Sequence, residues 1–228
     1  MSATRVPVVE KILSANDAIA AEIRAQFDAA GAVALNLMAS PGAGKTSLVE
    51  RTIAHFKGEC PVAMINGDTS EAAFDAERSQ RAGAFSVHIN TGGKCHLEAA
   101  MVRDALRHLD LTQTRLVLIE NVGNLVCPSS WKLGAHFNVL IASVPEGDDK
   151  PYKYPKMYAG VDVLVINKID LLPYTDFRME YFRRGVETLN SGLVSFALSC
   201  RTGEGLEAWF EWLRSHLRPL GARMAGEQ

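Results

Sequence analysis

Residues 32–46 read AVALNLMASPGAGKT. The apolar run 32–39 ends in Ala39-Ser40-Pro41-Gly42-Ala43-Gly44-Lys45-Thr46, and a helical period begins near Lys45. A strand that closes on GxxxxGK[ST] and opens a helix is a phosphate-binding loop, here with alanine at the first glycine. Gly42 and Gly44 let backbone N–H groups turn toward a β-phosphate, and the helix N-terminus adds partial positive charge. Lys45 is expected to reach the β- and γ-phosphates and the Thr46 hydroxyl to hold Mg²⁺, with Ser40, Pro41, Ala43 and Ser47 completing the cradle. A chance Gly-rich turn is the alternative. The strand before, the helix after and the intact Gly-Lys-Thr argue against it. Alanine suits the first position provided its φ is negative.

Outward from this stretch, one pattern recurs: an apolar run, a turn rich in Gly, Asp and Ser, then a helical period. Strands are predicted at 32–39, 61–67, 84–89, 115–120, 138–144, 161–167 and 193–199, and helices at 45–57, 72–82, 96–109, 174–190 and 204–217. Most strand runs are apolar throughout rather than alternating, as expected when helices cover both faces. The fold class is therefore α/β: a P-loop NTPase with a doubly wound, mostly parallel sheet of about seven strands. Upstream, Val9, Ile12, Leu13, Ile19, Ala20, Ile23 and Phe27 fall on one side of a helix over 6–30, interrupted by Asn16 and stopped by Gly31. The division expected is an N-terminal amphipathic helix (1–30) packed on a nucleotide-binding G domain (31–220), with 221–228 a flexible tail.

The chain has 228 residues, formal net charge −2, 47% hydrophobic and 22% charged residues, an ordinary globular composition. No global field draws it to nucleic acid or an anionic surface. Its apolar runs are far below the ~20 residues that span a bilayer, and 1–17 lack the features of a secretory signal. The expectation is a cytoplasmic protein with neither nucleic acid nor membrane as partner. Four cysteines, Cys60, Cys95, Cys127 and Cys200, lie at long spacings without a CxxC pair, which argues against a disulfide framework in a reducing compartment.

Asn167-Lys168-Ile169-Asp170 follows the strand run 161–167. NKxD at the end of a late strand is the guanine-reading motif of GTPases. The Asp170 carboxylate can accept from N1–H and the 2-amino group of guanine, whereas adenine would leave it unpaired. Asn167 is expected to brace the loops and the Lys168 stem to lie along the base. Ser199-Cys200-Arg201 stands where a backbone contact to the guanine oxygen belongs. Glu120-Asn121-Val122-Gly123 holds the DxxG position with glutamate for aspartate: Glu120 would hold Mg²⁺ through water and the Gly123 N–H would sense the γ-phosphate. Asp68 is a second candidate for Mg²⁺ or for the attacking water, weighed equally against a helix N-cap. Lys45, Asp68 and Glu120 form the candidate catalytic set. Asn124, not glutamine, follows Gly123, so slow intrinsic hydrolysis is expected.

Cys95-His96 sits at a Gly-rich turn entering a predicted helix whose N-terminus would favour the thiolate, and Cys127 follows Gly123 closely. Thiolate plus imidazole suits Ni²⁺ or Zn²⁺, and three ligands leave an open position. From spacing alone the plainer reading is stronger: Cys95 and Cys127 as small core residues, His96 as a helix cap.

The segments ASPGAGKTSL, INTGGKCHLEAAMV, IENVGNLVCPSSWKLGAH, VPEGDDKPYKYPKMY, VINKIDLLPYTDF and SCRTGEGLEAW together resemble the HypB family, GTPases of nickel insertion into [NiFe]-hydrogenase. The resemblance implies that Cys95, His96 and Cys127 are the metal site of the G domain and that GTP binding drives homodimerisation near it. It further implies that GTP hydrolysis is coupled to nickel delivery to the hydrogenase large-subunit precursor, beside a small zinc-containing nickel chaperone. Residues 1–30 contain no cysteine or histidine, so the nickel-storing N-terminal motifs of many members are not expected. The urease-maturation nickel GTPases carry a CPH motif where this chain has Lys94-Cys95-His96. Two further alternatives are a small-molecule kinase, against which NKID argues, and a nucleotide-dependent assembly switch with a structural Cys/His cluster.

Overall fold

The computed structural model describes residues 8–69 and 74–217. The predicted tail over 221–228 lies outside them, as do residues 1–7, 70–73 and 218–220. The first helix, α1 (Val8–Ala30), ends where Gly31 takes a φ of +66°. There the Ala32 N–H reaches back to the Phe27 carbonyl and the Gly31 N–H to that of Asp28, so the last carbonyls of the helix find donors.

Among the described residues seven strands follow: β1 (Val33–Ala39), β2 (Val62–Asp68), β3 (Phe85–Asn90), β4 (Leu116–Glu120), β5 (Phe137–Ser143), β6 (Val163–Asn167) and β7 (Val194–Ala197). They form one sheet in the order β3-β2-β4-β1-β5-β6-β7, and every pairing is parallel. β1, β4 and β6 are buried along almost their whole length. The edge strands β3 and β7 are partly exposed, which explains why residues 84–89, with Ser86 and His88, depart from the unbroken apolar runs.

Helices cover both faces. On one, α2 (Lys45–Phe56) and α8 (Leu206–His216) bury Phe56, Trp209 and Leu213 against β1, β4 and β5. The Trp209 indole N–H donates to Thr52 Oγ1 at 3.0 Å, so its one polar atom is satisfied. On the other face, α1 and α4 (Ala99–Leu106) pack Ile23, Phe27, Val102 and Leu106 over β2 and β4. Short helices α5 (Lys150–Lys153) and α6 (Pro155–Ala159) precede β6, and α7 (Met179–Leu189) packs with α6 against β5 and β6 through Phe182 and Tyr158. The remaining helix, α3 (Phe74–Ala82), lies beside α2.

Several boundaries differ from expectation. The helix predicted at 96–109 spans only Ala99–Leu106, because 91–98 are held in turns, with Gly92 and Gly93 at positive φ and Glu98 extended. The one predicted at 174–190 begins at Met179, after a 3-10 turn (Ile169–Tyr174) containing Pro173. Strands predicted at 161–167 and 193–199 shorten to β6 and β7. The α5–α6 pair was missed although Pro151 and Pro155 stand in their first turns, where proline starts helices. Ile12, placed on the apolar stripe of α1, is 50% exposed, and the buried face begins at Asn16.

Gly134 takes a φ of +79°, and a Cβ there would meet the Ala20 carbonyl oxygen at 2.6 Å and Ile23 at 2.7 Å. Gly192, at +72°, faces open space. Gly192→Ala is expected to cost about 1 kcal/mol and Gly134→Ala about 3 kcal/mol or more, read as the difference in urea midpoint from the parent chain.

Candidate functional site

Between β1 and α2, Gly42 and Gly44 take φ values of +79° and +97°. Among the described residues Lys168 is the one non-glycine with positive φ, so Ala39 occupies the motif's first position without strain. A Cβ on Gly44 would collide with the Asn167 amide. That closeness is used: Asn167 Nδ2 donates to the Ala43 carbonyl at 2.9 Å, and Lys168 Nζ donates to that of Gly42 at 2.6 Å. The loop borders a cleft of about 550 Å³ whose lining includes Lys45, Thr46, Ser47, Asp68, Glu120 and Gly123.

Glu120 closes β4 and is fully buried. Its Oε1 accepts from Lys45 Nζ and Thr46 Oγ1, each at 2.8 Å, while Oε2 is buried without a hydrogen-bond partner. Gly123 lies against Pro41, which joins this segment to the phosphate loop. Asp68 ends β2 on the cleft wall and accepts from the Thr69 N–H at 2.6 Å. Its alternative role as a helix cap turns on residues 70–73, outside those described.

At the far end of the cleft, Asn167 Oδ1 accepts from the N–H groups of Lys168 (2.7 Å) and Cys200 (3.2 Å). One amide thus ties the phosphate loop, the NKID turn and the Ser199-Cys200-Arg201 loop. Arg51 holds that last loop from α2 through the carbonyls of Cys200 and Arg201, and Ser199 Oγ accepts from the Thr202 N–H. Burial pushes the Cys200 thiol up to about 11, so it is inert and its contribution is through the backbone. Asp170 Oδ1 is buried with no partner.

Sequence reasoning missed Glu146. Its carboxylate accepts from Ser40 Oγ and from Ser143 Oγ, and burial holds its pKa above the usual carboxylate range. An acid at the end of the apolar run 138–144 was the available signal. Also missed was a row of buried amides. Asn121 Nδ2 donates to Asn36 Oδ1, and Asn36 Nδ2 donates to Asn138 Oδ1, each at 3.1 Å. Asn36, polar in the middle of an apolar strand, was the visible clue.

Cys95, His96 and Cys127 come together, with one ligand atom from each within 4.8 Å of the others. Cys95 Sγ lies 2.8 Å from Cys127 Sγ and 3.8 Å from His96 Nδ1. The core reading of the cysteines fails, since Cys95 is exposed and Cys127 half-buried. The cap reading of His96 fails too, because Glu98 precedes α4. Nor does a helix N-terminus activate Cys95: α4 starts four residues later, and the hydrogen bond with Cys127 raises its pKa. His96 stacks on Trp131 at 4.6 Å, and burial lowers its pKa toward the neutral imidazole that binds metals. Its Nδ1 faces Cys95, while Nε2 makes no hydrogen bond and lies 3.7 Å from Glu98 Oε1.

A family description reading CobW/HypB/UreG, nucleotide-binding domain, matches residues 33–195. The hydrogenase maturation factor HypB of Rhizobium leguminosarum bv. viciae is 46% identical over 214 residues, covering 93% of this chain and 71% of that protein. The chain belongs to the HypB family. Among solved HypB structures, that from Helicobacter pylori in complex with nickel superposes with a TM-score of 0.83 at 38% identity, covering 88% of this chain and 94% of that one. HypB from Archaeoglobus fulgidus gives 0.82 at 35%, covering 89% and 98%. The HypB sequence assignment and the seven-stranded parallel sheet of a P-loop NTPase therefore agree.

Because the Asn167 amide serves three loops at once, Asn167→Ala is expected to weaken nucleotide binding about tenfold or more. Equilibrium titration with a fluorescent guanine nucleotide measures it.

Proposed function

We propose that this HypB-family chain is a GTP-hydrolysing nickel metallochaperone of [NiFe]-hydrogenase maturation. The observation that carries the reading is a pair of buried carboxylate oxygens without hydrogen-bond partners, Asp170 Oδ1 and Glu120 Oε2, together with the Cys95–His96–Cys127 cluster. The first stands at the guanine station, the second at the Mg²⁺ station, and the cluster is the station of the transported metal. Burying a carboxylate oxygen unpaired is costly, so both carboxylates fit a site completed by its ligand.

In this reading Asp170 accepts from guanine, and Asn167 keeps its turn in register with the phosphate loop. Mg²⁺, when bound, supplies charge neutralisation between the β- and γ-phosphates, with Thr46, Asp68 and Glu120 as the residues that would hold it. Lys45, held by Glu120 in the structure, is released to the phosphates. The hydrolytic step lacks an obvious water-orienting amide, because Asn124 is committed elsewhere: Nδ2 donates to the Cys95 carbonyl and Oδ1 accepts from the Val126 N–H. Turnover should therefore be slow.

The same contacts supply the coupling. Asn121, next to Glu120, accepts from the Leu97 N–H at 3.0 Å, and Leu97 adjoins His96. Asn124 grips Cys95, and Cys127 stands four residues beyond Gly123. A shift of residues 120–124 toward a γ-phosphate would move both halves of the cysteine–histidine cluster. Nickel, or zinc at the same site, is cargo rather than resident cofactor, and the nickel complex of the Helicobacter pylori relative favours it. GTP-dependent homodimerisation, uptake from a small zinc-containing chaperone, delivery to the hydrogenase large-subunit precursor and a cytoplasmic location belong to the same proposal. Among the described residues no helix is long and apolar enough to cross a membrane.

Nickel titration of the purified chain with GDP and with a non-hydrolysable GTP analogue tests the reading. Expected is binding that needs Cys95 and Cys127 and whose affinity differs between nucleotides. Equal affinity in both states would sink the coupling, and Cys95→Ala/Cys127→Ala binding as the parent does would sink the site. Asp170→Asn should lose roughly a hundredfold in GTP affinity, from two charge-assisted hydrogen bonds worth ~1.5 kcal/mol each. Hydrolysis by the unassisted chain should stay below ~1 s⁻¹, measured as phosphate release.

A further inference from the structure

Asn16 is the polar break in the apolar stripe of α1, and neither the nucleotide cleft nor the metal cluster contains it. It is 5% exposed. Its amide joins a loop to a helix start: Nδ2 donates to the Lys132 carbonyl and Oδ1 accepts from the Ala99 N–H, both at 2.8 Å. Ala99 is the first residue of α4, and its preceding cap residue, Glu98, makes no side-chain capping bond. Asn16 is thus a cap delivered from another helix.

The two bonded groups are close along the chain to the metal cluster on both sides. Ala99 lies three residues after His96. Lys132 follows Trp131, whose indole stacks on the His96 ring, and the same segment begins at Cys127. Lys132 is held again by Asp17, Nζ to Oδ2 at 2.9 Å. A leucine or alanine at position 16 would continue the stripe but strand a helix-initiating N–H and a loop carbonyl. An apolar pattern broken at this one buried point is consistent with a task beyond packing.

We infer that Asn16 is a positioning residue for the Cys95–His96–Cys127 cluster, coupling the docking of α1 to metal occupancy. The inference rests on the metal reading given above. Residues 33–195 match the shared nucleotide-binding domain, so a helix outside that match braces the backbone beside the cluster. Partners bonded directly to metal ligands typically govern affinity by ten- to a hundredfold; Asn16 bonds the backbone beside the ligands, so its effect belongs at the lower end of that range. Reciprocity requires that whatever α1 does for the metal, the metal does for α1.

The test uses the full chain, nickel sulfate in competition with a chromogenic chelator, and hydrogen exchange of the α1 amides. Asn16→Ala is expected to weaken Ni²⁺ binding about tenfold. Asn16→Asp keeps an acceptor for the Ala99 N–H, and so the helix cap, but cannot donate to Lys132; it should weaken binding in the same direction. In the parent chain Ni²⁺ should slow exchange across residues 17–27, and in Asn16→Ala it should not. A residue that only packs would change thermal stability without linking α1 exchange to nickel. Ni²⁺ affinity unchanged in both variants, or parent α1 exchange indifferent to bound Ni²⁺, overturns the inference. Should Cys95→Ala bind Ni²⁺ like the parent, the metal reading falls and this inference with it. Binding that needs Cys95 but ignores Asn16 removes this inference alone.

Discussion

In the parallel ladder between β1 and β4, Leu37 stands opposite Glu120, and the next N–H, that of Asn121, donates to the Leu37 carbonyl at 3.0 Å. That register brings a buried carboxylate beside the phosphate loop, where Lys45 and Thr46 both bond it. A buried charge is tolerable only when paired and hydrogen-bonded, so the position of Glu120 constrains α2, the loop before it and the segment after it together. A slip of one residue would turn Glu120 to the opposite face, removing the partner of Lys45.

The buried amides extend this constraint sideways. Asn121, Asn36 and Asn138 bond one another across β4, β1 and β5, and Asn138 ends the row on Asp162. Fully satisfied, such a row specifies one arrangement of strand ends; half satisfied, it would be worse than an apolar core. Its Asn121 end also holds the Leu97 N–H. The strand ends that bind nucleotide and the turn that carries Cys95 and His96 therefore share one hydrogen-bonded frame, as expected for sites at the carboxyl edge of a parallel sheet.

Asn16, Asn121 and Asn167 do related work. Each is at least 95% buried, and each joins chain segments far apart in sequence by both ends of its amide. Carboxamides suit this because they donate and accept without charge, avoiding the desolvation cost an ion would carry.

The phosphate loop and the NKID turn were legible in the sequence because their chemistry is local: four to eight consecutive residues set the backbone, and the flanking apolar runs declare strand and helix. The central strands were legible for the same reason, through unbroken apolar runs that burial on both faces explains, whereas the edge strands β3 and β7 are partly exposed. The starts of α4 and α7 were not, because Asn16, Asn121 and Asp148 bond the N–H groups there from elsewhere in the chain. Nor could spacing decide the cysteines. Cys95 and Cys127, 32 residues apart, meet because the turn after β3 and the segment after β4 emerge on the same edge of the sheet, on strands separated only by β2. Local motifs follow from short-range sterics and hydrogen bonding, which a sequence states directly. The meeting of Cys95 with Cys127, and of Asn16 with both their loops, depends on strand order and register, which only the packed sheet decides.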